Sequence, residues 1–311
     1  MHFAHMNRGR MLRAMTAQPP PATAVRPHAG RPGQARPAGR AAGVAMMLGS
    51  GLSNQTGAAV AALAFPVVGP AGVVAVRQWV AGAVLLAVGR PRMRTFTRAQ
   101  WWPVLGLAAV FAVMNLSLYT AIGRIGLGLA VTLEFLGPLA VALAATRRRA
   151  DLACALAAGA AVAVLSRPRP AADYAGIALA LLAAVCWACY ILLGRTVGRR
   201  LPGVQGPAAA AAVSALAYVP VGAVVLAHRP PTAAALGYAV TAGVLSSAVP
   251  FLSDLLALRR VPARLFGMFM SVNPVLAALV GTVVLDQRLG PYEWTAIAVI
   301  VTANAAVVTR R

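Results

Sequence analysis

The sequence contains no lysine and only six acidic residues among its 311, while all 28 of its basic residues are arginine. The absence of lysine excludes a Ser–Lys catalytic pair, and no histidine falls within the long apolar runs. The three cysteines, Cys154, Cys186 and Cys189, lie in apolar runs, which favours packing over a metal or redox pair. We therefore expect no enzyme, no metal and no cofactor.

The amino-acid composition of the chain is largely apolar. Hydrophobic residues make up 60% of the chain and charged residues 11%, with a mean hydropathy of +0.75. These values are typical of a membrane protein and far from those of a soluble domain. The net charge of +22 would suggest nucleic-acid binding in a soluble protein. Here the arginines fall between apolar runs with few aromatic residues, so we expect no nucleic-acid partner.

The first forty residues differ from the rest. They hold seven arginines, many prolines and no acidic residue, and they contain no continuous apolar run. Residues 1–40 are therefore predicted to be a disordered basic cytoplasmic tail, without a secretory signal peptide.

Ten apolar runs follow, each close to the length that crosses a bilayer as a helix. Their approximate limits are 43–65, 71–89, 102–121, 127–145, 151–166, 174–194, 206–227, 233–256, 264–284 and 291–309. The fold class predicted is an all-α membrane protein with ten transmembrane helices. The run at 151–166 is the shortest of them.

The distribution of arginine predicts the orientation. With a cytoplasmic amino terminus, twenty-two arginines fall on the cytoplasmic side and five on the opposite side, and Arg77 lies within a span. Positive charge concentrates on the cytoplasmic side of membrane proteins. The count therefore predicts an even number of spans, with both termini in the cytoplasm.

An internal repeat supports a carrier. A shift of 136 residues places Pro138 on Pro274 and Ser117 on Ser253. Five spans separate the two copies, so the copies must have opposite orientations in the membrane. Inverted repeats with a central binding site are characteristic of secondary transporters. A lipid-modifying enzyme or a receptor has no comparable need for them, and we regard both as weaker alternatives.

Glu134 is the best single candidate for a functional residue. A carboxylate near the middle of an apolar span is costly, so it usually faces a cavity or a partner. A carboxyl group in such surroundings is suited to exchange protons with a gradient. Pro138, four residues later, weakens the helix at this point. Asp254 is a second acidic candidate, although a salt bridge with Arg259 or Arg260 explains it equally well.

Other polar side chains lie within predicted spans. Arg77 could hold a substrate carboxylate or pair with a buried acid. Amides within the bilayer, Gln55 among them, bind a zwitterion or join helices to each other. Asn115 and Tyr119 lie one helical turn apart and share a face. The remaining candidates for the lining of a substrate site are Tyr190 and Asn273.

Several stretches also resemble a known family. They are LEFLGPLAVAL at 133–143, NLSLYTAI at 115–122, SNQTGAAVAALAFP at 53–66, CWACYILLGR at 186–195 and VPARLFGMFMSVNPVLAALVG at 261–281. Together they resemble the threonine/homoserine exporter branch of the EamA-type drug/metabolite transporters. The resemblance implies two inverted five-helix EamA repeats, at 41–166 and 174–309. It also implies export of small neutral amino acids across the inner membrane by proton antiport.

Two alternatives stay open at this point. Efflux of drug-like or other metabolite compounds would suit the same spans, with Glu134 attracting a cation. The many Gly and Ala positions could pack helices within one chain or between the chains of a homodimer. As a transporter, the protein is expected to have a small-molecule substrate, protons and the lipid bilayer as its partners.

Overall fold

The computed structural model describes residues 37–144, 153, 156–161, 173–250, 253 and 270–309, and their regular secondary structure is entirely helical. Most of the predicted tail, most of the predicted span 151–166 and the candidate Asp254 lie outside the described residues. The helices, numbered along the chain, are α1 (Pro37–Ala62), α2 (Phe65–Gly89), α3 (Arg98–Ile125), α4 (Leu127–Glu134), α5 (Leu136–Ala144), α6 (Tyr174–Arg200), α7 (Gln205–His228), α8 (Ala233–Gly243), α9 (Asn273–Leu285) and α10 (Pro291–Thr309).

Four of the described helices, α2, α3, α6 and α7, are long and apolar enough to cross a membrane. Shorter apolar helices cover Leu127–Val141, Ala233–Ala248 and Asn273–Leu285. The all-helical class is therefore as predicted, while ten spans remain a prediction.

The predicted span at 127–145 contains a break. The chain is helical from Leu127 to Glu134 and again from Leu136 to Ala144. Pro138 has no N–H to donate to the carbonyl of Glu134, four residues earlier, and this weakens the helix there. The break places the Glu134 carboxylate at a helix end rather than in the middle of a continuous helix.

The turn before α4 requires glycine. Gly126 has a φ of +83°, a backbone conformation that side-chain-bearing residues rarely adopt. The Leu127 N–H that follows donates to Gln287 Oε1 at 2.9 Å. The side chain of Gln287 thus satisfies one of the free N–H groups at the start of α4.

Small residues let the central helices approach closely. α2 packs along α7, and α3 packs along α6. A Cβ on Gly82 of α2 would lie 2.6 Å from the Cβ of Ala215 on α7. Between these two helices, Gln78 Nε2 donates to Ser214 Oγ at 2.8 Å. Close backbone contact with interhelical hydrogen bonds is how membrane helices associate.

A salt bridge joins the end of α3 to the start of α6. Asp173 caps α6 by accepting the Gly176 N–H at 2.8 Å, and Arg124 Nε lies 3.0 Å from the Asp173 carboxylate. The Gly176 hydrogen bond, assisted by Arg124, lowers the pKa of Asp173 below its ordinary value. This pair is half exposed, so it contributes little to stability.

Candidate binding site

A cavity of about 240 Å³ lies between the helices. Its walls come from α1, α2, α3, α4 and α6, together with Phe135, Pro250, Met270 and Asn273. The lining residues are Ser50, Gly51, Asn54, Gln55, Ala58, Arg77, Phe111, Met114, Asn115, Leu118, Tyr119, Val131, Glu134, Phe135, Trp187, Tyr190, Pro250, Met270 and Asn273.

The cavity brings together most of the residues singled out in the sequence. Seven of the eight candidates line it, and they are Gln55, Arg77, Asn115, Tyr119, Glu134, Tyr190 and Asn273. The eighth, Asp254, lies outside the described residues. The sequence predicted these residues separately, and the fold places them around one space. Their role toward a ligand stays a prediction.

Arg77 is held on two sides. Its Nη1 donates to Asn115 Oδ1, and its Nη2 donates to the Ser246 carbonyl oxygen at 3.4 Å. The guanidinium carbon lies 4.9 Å from the centroid of the Tyr119 ring. These contacts fix the plane of a guanidinium group that is 8% exposed. An arginine held in this way can present its remaining N–H groups to a ligand.

The Ser246 carbonyl is available because the helix register changes there. Residues Val244–Ala248 form one turn of π-helix directly after α8. Such turns are frequent at functional sites. The same segment bonds to α1, since Ser53 Oγ donates to the Leu245 carbonyl at 2.8 Å and Ser246 Oγ donates to that of Asn54 at 3.2 Å. We did not identify this segment from the sequence, where VLSSA reads as an ordinary apolar run.

We predict that Gly57→Ala disturbs this contact. A Cβ at Gly57 would collide with the Ser246 hydroxyl and lie 2.9 Å from the Ser246 backbone nitrogen. We expect a loss of about 2 kcal/mol, as for overpacked interiors, with a lower thermal unfolding midpoint in detergent. Gly49→Ala on the same helix is the matched control, because nothing lies within 4 Å of its Cβ. Equal midpoints for the two variants would contradict the prediction.

Glu134 is the acidic residue of the cavity. It is 6% exposed and lines the same space as Arg77. Among the described residues, no salt bridge joins the two groups. The cavity therefore holds one basic and one acidic side chain that are not paired by direct contact.

Three buried polar atoms at the cavity have no hydrogen-bond partner within the part of the chain that the structure describes. They are Arg77 Nε, Tyr119 Oη and Asn273 Oδ1. Asn273 is otherwise held by its amide, which donates to the Met270 carbonyl that Pro274 leaves free. Buried polar groups normally find partners, so these atoms favour a polar ligand in the cavity.

Aromatic rings complete the wall. Phe135 and Trp187 meet edge to face with centroids 4.7 Å apart, and Phe111 and Tyr190 lie 6.1 Å apart. Phe111 and Phe135 were not among the residues predicted to line the site. Phe111 precedes Asn115 by one helical turn, and that spacing is the signal that could have identified it.

A cavity with acidic and basic lining residues, among helices long and apolar enough to cross a membrane, is typical of a membrane transport protein. Residues 174–309 match the EamA-like transporter family. The chain is 35% identical to the Escherichia coli K12 protein named threonine/homoserine exporter RhtA, over 84% of this chain and 89% of that one. It is 36% identical to the protein of the same name from Salmonella typhimurium LT2, over 81% and 86%.

This chain belongs to the EamA-like transporter family and, within that family, to the group of RhtA-like proteins. It is a transporter of small molecules rather than an enzyme. A crystal structure 23% identical in sequence superposes with a TM-score of 0.54, covering 87% of this chain and 98% of its own. That likeness supports the helical fold alone.

Proposed function

We propose that this protein exports small neutral amino acids, such as threonine and homoserine, in exchange for protons. The names of its relatives suggest the substrates. The observation that carries the proposal is the meeting of Arg77 and Glu134 at one cavity. A zwitterion carries both charges, and these two groups complement it.

Each of the seven candidate residues that line the cavity has a role in this proposal. Arg77, oriented by Asn115, binds the substrate carboxylate. Tyr119 and Asn273 offer their unpartnered oxygens to the ammonium or hydroxyl group of the substrate. Gln55, which is 2% exposed, and Tyr190 complete the enclosure.

Glu134 is the residue proposed to couple transport to protons. Its carboxylate attracts the substrate ammonium when ionised and releases it when protonated. The site then holds either a proton or a substrate, which is the condition for antiport. The helix break beside Glu134 allows the adjoining segment to move between the two states.

The architecture proposed is ten spans in two inverted five-helix repeats, with both termini in the cytoplasm of a bacterial inner membrane. The Gln78–Ser214 hydrogen bond supports it, because these residues are 136 positions apart, the offset of the sequence repeat. The helix contacts also repeat when each helix of the first half is exchanged for its counterpart in the second, α1 for α6, α2 for α7 and α3 for α8. The contact of α3 with α6 then corresponds to that of α8 with α1. The contact of α2 with α8 corresponds to that of α7 with α3. A homodimer stays a prediction.

The test is efflux of radiolabelled threonine and homoserine from loaded proteoliposomes, with and without an opposed proton gradient. Gradient-driven efflux above that of protein-free vesicles is the expected result. If neither amino acid moves while the protein still unfolds cooperatively, amino-acid export is wrong. Drug-like and other metabolite compounds are then the next panel, since the apolar walls of the same cavity would also suit them.

A further inference from the structure

A second cavity of about 60 Å³ lies beside the central one. Its apolar wall is formed by Leu85, Leu107, Pro207, Ala210 and Ala211. Phe111 and Tyr190 line this side cavity and also the central cavity. Their rings are tilted by 32°, with centroids 6.1 Å apart. Phe111 and Tyr190 therefore lie between the central cavity, which holds the buried polar groups, and a side cavity with an apolar lining.

These two rings lie close to the polar groups of the site. Phe111 lies one turn before Asn115 on α3, and Asn115 Nδ2 donates to the Phe111 carbonyl oxygen at 2.7 Å. One turn corresponds to about 6 Å along the axis. A substrate held through its carboxylate near Arg77 and Asn115 has about that length for its side chain before it meets the Phe111 ring.

The second aromatic pair of the central cavity, Phe135 and Trp187, does not adjoin the side cavity. Phe135 is 4% exposed and belongs to the main hydrophobic core, with Trp187 packed against that core. Behind these rings lies packed protein. Phe111 and Tyr190 adjoin the side cavity, so of these two aromatic pairs theirs is the one whose truncation would lengthen the space for a substrate.

We propose that the Phe111 and Tyr190 rings set the upper limit on the length of the substrate side chain. Short side chains fit between the polar groups and the rings, and long unbranched apolar side chains are excluded. Removal of one ring joins the two cavities and admits them. This inference rests on the proposed function, since it takes an amino acid as the occupant of the central cavity.

The first arm of the test measures exchange of 2-aminobutyrate, norvaline and norleucine relative to threonine in proteoliposomes. Phe111→Ala is expected to raise the norleucine-to-threonine ratio about tenfold, the discrimination that a small change in an apolar pocket produces. Val113→Ala, a truncation on the outer face of the same helix, should keep the wild-type ratio, because Val113 is 45% exposed. An unchanged ratio in Phe111→Ala overturns the inference.

The second arm does not depend on the substrate. Ala211→Cys, in a background lacking the three native cysteines, places a thiol in the side cavity. Its reaction with a small thiol reagent should accelerate about tenfold in Phe111→Ala and be slowed by threonine. Met114→Ala enlarges the central cavity but leaves both rings, so it should not accelerate the reaction.

These arms separate two kinds of failure. If the wild type moves no amino acid, the proposed function fails and the labelling arm alone decides whether the rings form the wall. If amino acids move but neither the ratio nor the labelling rate responds to Phe111→Ala, the size limit lies elsewhere. Phe111→Leu, which removes the ring but keeps an apolar side chain, replaces Phe111→Ala if the smaller residue prevents folding.

Discussion

Gradient-driven efflux of threonine should fall to the level of protein-free vesicles when Glu134 is replaced by glutamine. Glutamine has nearly the size and hydrogen-bonding capacity of the protonated acid but cannot ionise. Glu134 is 6% exposed and lines the central cavity, so the substitution removes the negative charge from the proposed site. The measurement is efflux from loaded proteoliposomes with an imposed proton gradient.

Glu293→Gln is the matched control for this prediction. It makes the same chemical change near the start of α10, and Glu293 does not line the cavity. Its efflux should match the wild type. Full gradient-driven efflux by Glu134→Gln would show that proton coupling resides on another group, and Asp254 would become the next residue to test.

Arg77→Ala should impair both folding and transport. It removes the guanidinium that bonds to Asn115 and to the Ser246 carbonyl oxygen, and it removes the basic side chain of the central cavity. Breaking a buried charged network on one side costs about 3 kcal/mol. We expect that loss of unfolding free energy. Separately, the substrate carboxylate loses its proposed partner, which costs about 2.7 kcal/mol of binding and should reduce transport about a hundredfold.

Arg77→Lys tests whether the positive charge alone is sufficient at this position or whether the planar guanidinium group is required. Lysine keeps the positive charge but lacks the planar fork that two acceptors and the Tyr119 ring now orient. The KM for the substrate should rise about tenfold while the unfolding midpoint falls less than in Arg77→Ala. Arg124→Lys is the control, because its salt bridge to Asp173 is 46% exposed on the arginine side. An Arg77→Lys protein with a wild-type KM would refute the role assigned to the guanidinium plane.

The charged half of the site was visible in the sequence because burial of charge in a membrane is rare. Arg77 and Glu134 stand out against an almost uniformly apolar background, and the cost of placing them there implies a purpose. Asn115 and Tyr119 were found by their one-turn spacing on a shared helix face, and Asn273 as an amide within a predicted span. The sequence did not join Arg77 to Asn115, since the bond between them joins helices whose relative position hydropathy does not specify.

The apolar half of the site was not visible in this way. Phe111 looks the same in the sequence whether it faces lipid, the protein core or a cavity. Ser246 likewise gave no signal, because its contribution to Arg77 is a backbone carbonyl that the π-helical turn presents. Every residue has a carbonyl, so only the three-dimensional path of the chain distinguishes this one.

The sequence by itself determined the class of this protein, its apolar helices and the identity of its buried charges. Each of these follows from transfer free energies of individual residues, which depend on residue type and local spacing. The tertiary structure decided which charges share a cavity, which carbonyl orients Arg77 and which rings close the apolar end. Those features depend on contacts between helices distant in the chain, and packing of the whole bundle is what sets them.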